Sequence, residues 1–150
     1  MELYILGGLL KKVGNFSMKS FEKRLLFQKT VYFLQVFGID LGYKYNWYIA
    51  GPYSSSLASD GFKLEIVYNK SPDVNFIEGE YKNKFENFLS FIKDKRNDKR
   101  KLELLSSIHF LNDMGYSKQR ILEMIKNKVE VFTEDQINEA FEILKRRELL

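Results

Sequence analysis

Residues 21–37, FEKRLLFQKTVYFLQVF, constrain the fold more than any other stretch of this chain. Ser17 or Ser20 supplies a start signal, and Gly38 supplies a stop. Projected at about 100° per residue, Arg24, Gln28 and Gln35 form one narrow polar stripe, and Glu22 with Lys29 forms another. Leu25, Leu26, Phe27, Val31, Tyr32, Phe33, Leu34 and Val36 fill the space between them. A helix that is apolar on nearly every side has to be surrounded by protein, so the remaining segments must wrap around it. The chain has the means to do so. Its 150 residues suit one domain, and a 45% hydrophobic content with only 2 prolines offers enough apolar surface to offset the entropy of ordering.

The wrapping segments can be read from their periodicity. Leu3, Leu6, Leu9, Leu10 and Val13 recur at helical spacing, although Gly7 and Gly8 each weaken a helix interior by roughly 1 kcal/mol. Residues 43–50, YKYNWYIA, predict a short strand with Tyr43, Tyr45, Trp47 and Ile49 on one face, ended by Gly51-Pro52. Ser54, Ser55 or Ser56 can then cap a helix carrying Leu57, Leu64 and Ile66. Residues 73–78 predict an edge strand that pairs with 43–50 as a small wing-like sheet. Tyr81, Phe85, Phe88, Leu89 and Ile92 mark an amphipathic helix. After a polar run at 93–101, helices are expected over about 102–114 and 118–127, separated by Gly115-Tyr116-Ser117. Thr133 and Gln136 form a capping box for a last helix. The expectation is one mainly α domain over 1–150, a bundle of five to seven helices with a two-stranded β element, winged-helix-like in outline.

Composition removes much chemistry. With no cysteine and a single histidine, His109, the chain has no disulfide and no thiolate or two-histidine metal site, and no nucleophile and orienting carboxylate can be placed beside that histidine to build a triad. His109 falls on the apolar side of its helix and is expected to pack there. Glu134/Asp135 and Glu139/Glu142 are spaced for a helix start and a solvent face, not for two-carboxylate catalysis. The glycines lack the Lys-Ser/Thr ending of a phosphate loop. No cofactor is expected, no stretch has the length of a membrane span, and a cytoplasmic location follows from the absence of a secretory pattern.

Two clusters remain. Residues 93–101 hold six basic and two acidic residues, a net +4 that equals the excess of the whole chain. Lys95, Arg96, Lys99, Arg100 and Lys101 are therefore candidate phosphate contacts. Beside them, the helix, three-residue turn and helix over 102–127 have helix-turn-helix spacing, which places Lys118, Gln119 and Arg120 at the start of a candidate recognition helix. The second cluster is aromatic: Tyr43, Tyr45, Trp47, Tyr48 and Tyr53 offer large apolar area with polar tips, as interfaces do. Gly51-Pro52 and the serines that follow could present helix N–H groups beside Lys29.

The stretch RLLFQKTVYFLQ (24–35) followed by YNWYIAGPYSSSL (45–57) resembles the small helical prokaryotic proteins of the YwgA type, and more remotely the Panacea antitoxin-like domain. In both, a Q-K-x-x-Y-x-x-Q helix leads through an aromatic strand to a G-P-[YV]-S turn that caps another helix, and LELLSSIHFL (102–111) also looks like the YwgA-type second half. The resemblance implies a helical domain with a small β element. On the Panacea side it implies a role in neutralising a toxin or in adapting a substrate to a protease. Together these readings predict a non-enzymatic regulatory protein, antitoxin-like, that binds a protein partner through Gln28, Lys29, Tyr32, Trp47, Tyr48, Pro52, Tyr53 and Ser54. The rival reading is a nucleic-acid-binding protein using the basic residues above.

Overall fold

The computed structural model describes residues 2–75, 79–128 and 130–150. In chain order it contains α1 (Glu2–Val13), α2 (Phe21–Val36), β1 (Asn46–Tyr48), β2 (Gly51–Tyr53), α3 (Ser55–Val67) with a 3₁₀ turn at Tyr68–Lys70, α4 (Glu80–Ile92), α5 (Lys99–Asp113), α6 (Lys118–Lys126) and α7 (Glu134–Arg146). The fold is mainly α with one small antiparallel sheet, as the patterning predicts.

Helix α2 is the axis. Its N-terminus is capped by Ser20, whose hydroxyl accepts from the Lys23 N–H at 3.1 Å. At its C-terminus the Gly38 and Ile39 amides return to Gln35 and Leu34, closing a Schellman motif. Every residue from Leu25 to Leu34 is buried. One side of α2 packs Phe27 and Val31 with Leu6 and Leu10 of α1 and Leu57 and Leu64 of α3. The other side packs Leu26, Phe33 and Leu34 with phenylalanines of α4, leucines of α5 and the apolar stripes of α6 and α7. Burying each such side chain contributes roughly 1.5–3 kcal/mol, so this helix organises most of the core. Helix α1 tolerates Gly7 because the chain after α3 lies against it: a Cβ there would sit 2.0 Å from Ser71 Oγ.

The sheet departs from expectation. The strand predicted over 43–50 is only three residues long, because the Tyr43 N–H and C=O both bond to the Gln35 side chain. Its partner is β2, the segment expected to end it, in the register Asn46↔Tyr53, Trp47↔Pro52 and Tyr48↔Gly51. Residues 73–75 form no strand, and the rest of the predicted 73–78 strand lies outside the described residues. Helix α5 also begins earlier than its apolar pattern, since Asp98 caps it by accepting from the Lys101 N–H at 3.1 Å.

Candidate functional site

Pro52 decides how the hairpin is bonded. Lacking an N–H, it can face Trp47 only at a non-hydrogen-bonded position, so Asn46–Tyr53 and Tyr48–Gly51 carry the ladder and Ile49-Ala50 is the turn. The polar groups of Pro52 and Ser54 then point away from β1, toward α2, where the two residues of the Gln-Lys pair meet them. Lys29 Nζ donates to the Pro52 carbonyl at 2.6 Å. Gln28 Nε2 donates to the Ser54 carbonyl at 2.8 Å, and Gln28 Oε1 accepts from the Ser54 N–H at 2.9 Å. The side chains of α2 thus act as a substitute strand along β2. Ser54 completes the link by capping α3, its hydroxyl accepting from the Leu57 N–H.

A buried polar cluster lies under the turn. Lys29 is 1% exposed, and a Cβ on Gly51 would meet its Nζ at 3.3 Å and Ser107 Oγ at 2.6 Å. Gly51 also has φ +92°, so it is required twice over, for close approach and for backbone sign. Glu103 Oε2 on α5 pairs with Lys128 Nζ at 3.2 Å, both side chains nearly fully buried. Lys128 in turn donates to the Ile49 carbonyl at 2.6 Å and lies over the Trp47 ring. Burial pushes the Lys29 pKa down from 10.5 to about 7; Glu103 pulls it up and Lys128 lowers it further. Burial likewise lowers the pKa of Lys128, against Glu103. Two lysines and one glutamate therefore tie the hairpin to α2, α5 and the end of α6.

Of the eight residues assigned to partner binding, Gln28, Lys29, Tyr32, Pro52 and Ser54 are buried and do not face outward, and Gln28 and Lys29 hold the hairpin through Ser54 and Pro52. The Tyr32 hydroxyl lies 2.6 Å from His109 Nδ1. Burial raises the Tyr32 pKa and lowers that of His109, so both partners of this bond are held toward their neutral forms. Trp47 is half-buried, stacked on Phe110 beneath Lys128. Tyr48 packs edge-to-face on the half-buried Tyr53 and is 49% exposed, while Ile49 at the turn is 76% exposed. Glu103, Ser107 and Lys128 were not selected from the sequence. The signal for the first two was a glutamate inside the apolar run LELL followed by two serines, small enough for the hairpin to approach.

The second cluster divides. Lys95 is buried, donating to the Phe91 carbonyl and pairing with Asp94, each at 2.9 Å. Arg96 donates to the Val13 carbonyl at 2.7 Å, and Arg100 pairs with Glu130 and donates to the Val131 carbonyl. These three bind the chain to itself, while Lys99 and Lys101 are half-buried on the first turn of α5. Lys118, Gln119 and Arg120 are exposed on the first turn of α6, after a turn of four residues, 114–117, one longer than expected because α5 ends at Asp113. Arg120 also brings the two clusters together: with Met124, Asn127 and Lys128 it forms one wall of a groove of about 500 Å³, and Trp47, Tyr48 and Ile49 form the other. Among the described residues no cluster of His, Asp and Glu could hold a metal ion, and no helix is long and apolar enough to cross a membrane. No protein family, curated protein or solved structure matches this chain.

Proposed function

We propose that this protein is a non-enzymatic, cytoplasmic interaction module of regulatory, antitoxin-like type, which grips a protein partner through the tip of its hairpin. One observation carries the reading: an exposed apolar tip, Tyr48 and Ile49, rides on a hairpin whose Pro52 carbonyl, Ser54 amide and Ile49 carbonyl are fixed by Lys29 and Gln28 of α2 and by Lys128 after α6. Rigid aromatic and aliphatic anchors of this kind lose little entropy on binding. Lys29 supports the reading as well, because its amine is enclosed and committed to the Pro52 carbonyl, which suits a strut better than a nucleophile.

The test is affinity capture from the source cell with the full chain, comparing wild type with Tyr48→Ala, Ile49→Asp and Tyr53→Ala, and with Phe62→Ser on the exposed face of α3 as control. Loss of the same partner with the hairpin variants alone is the expected result. Capture that ignores the hairpin overturns it. A second reading, nucleic-acid binding, draws on the exposed first turn of α6. It predicts retardation of duplex DNA that weakens linearly in log[salt] and is lost in Lys118→Glu/Arg120→Glu.

A further inference from the structure

The two edges of the hairpin are treated differently. Along β2, the Pro52 carbonyl and both polar groups of Ser54 are taken by Lys29 and Gln28. Along β1, the register that turns Pro52 outward also turns the Trp47 N–H and C=O outward, and among the described residues they have no hydrogen-bond partner. Strand β2 packs on α2 and α5, which leaves β1 as the outer strand. Proteins ordinarily blunt such an edge with a charge, a proline or a covering loop, because unpaired backbone groups recruit another strand. Here the edge residue is Trp47, the neighbours are Tyr48 and Ile49, and the groove toward α6 stands open beside them.

We propose that the β1 edge takes an extended, acidic peptide segment of a protein partner as a third strand, seated in the groove between the hairpin and α6. This rests on the interaction-module reading and specifies its ligand. Main-chain bonds to Trp47 supply affinity without sequence, and the groove wall supplies selection. The charged residues lining it are Arg120 and Lys128, with no acid among the lining groups. Lys128 is spent on Glu103 and the Ile49 carbonyl, so Arg120 is the cation available to a ligand. Its bond to Glu123, 3.1 Å long and solvent-exposed, is of the weak surface kind that an incoming carboxylate can displace. Ile49 and Met124 offer apolar contact for the alternate side chains of the incoming strand.

Trp47 is the single tryptophan of the chain, so its fluorescence reports the groove directly. Peptides are selected on the immobilised full chain from a random peptide library and titrated against it in solution. The expected winners contain Asp or Glu and no proline within the bound stretch, and they change Trp47 emission. They also protect the Trp47 amide from hydrogen exchange. Arg120→Glu should weaken them roughly tenfold or more, as should N-methylation of alternate peptide amides in one of the two registers. Winners that depend on Tyr48 and Ile49 but tolerate N-methylation in both registers, or that are basic, overturn strand addition while leaving the module intact. If no selected peptide depends on Tyr48 or Ile49, both readings fall. A concentration-dependent dimer that protects the Trp47 amide without peptide assigns the edge to a second copy and overturns the partner.

Discussion

Gln28 spends its whole amide on one backbone residue, Ser54, which is fully buried. Replacement by methionine keeps the length of the side chain and orphans two backbone groups, each of which costs about 1–3 kcal/mol when left buried and unpaired. Gln28→Met is therefore expected to lower unfolding stability by about 2–6 kcal/mol in urea titration. Gln35→Met, which breaks the same two-bond clamp on the half-buried Tyr43, should lose clearly less, because water can reach that site. Equal losses would mean the clamp is not what holds the turn. At this scale the sequence was only half legible. The pairing of Gln28-Lys29 with Gly51-Pro52-Tyr53-Ser54 could be seen as a motif, but an amide looks the same whether it faces a ligand or a backbone 26 residues away. Lys95, Arg96 and Arg100 posed the same difficulty: charge can be counted from the sequence, whereas the carbonyls that consume it cannot.

Helices were the readable elements, because their signals are local. The Thr133/Gln136 capping box, the Ser117 and Ser20 caps and the Gly38 and Gly115 stops all stand where the spacing put them. The hairpin was misread because its decisive residue is a proline, normally a strand breaker, tolerated here by the register and by Lys29 on its outer side. One helix end went unsignalled. Helix α7 closes as α2 and α5 do, with the Glu148 and Leu149 amides returning to Lys145 and Leu144, but the left-handed residue is Glu148 at φ +57°, not glycine. A left-handed non-glycine residue costs about 1–2 kcal/mol, of which the greater freedom of an unfolded glycine takes back about 0.4–1 kcal/mol. Glu148→Gly should then raise stability by roughly 0.5–1 kcal/mol. An unchanged or lower urea midpoint would argue that the last turn of α7 is not held in that conformation.

For the whole molecule, the buried ionisable groups set how stability varies with pH. Lys29 titrates near 10.5 when unfolded and at about 7 when folded, held down mainly by burial. Between those values the unfolded chain binds the extra proton, so stability must rise as pH increases, by at most about 1.4 kcal/mol per unit for this one group. Lys128 on the adjoining segment is lowered in the same direction and adds to the rise, while His109, also lowered, has finished contributing above its unfolded value of 6.5. Above about pH 10 the sign reverses, because Tyr32 and Tyr45 are raised by burial and stay protonated in the fold while the unfolded phenols ionise. Folded proteins ordinarily peak between about pH 5 and 8, whereas this chain is expected to peak near pH 9–10. Urea titrations at intervals from about pH 6 to 10.5 measure the profile directly. Lys29→Met removes the group that binds the extra proton, so it should flatten most of the rise between pH 7 and 9 even though it also forfeits the bond to the Pro52 carbonyl. A wild-type profile that falls from neutral to alkaline pH would show that Lys29 is charged in the fold, with Glu103 rather than burial governing it.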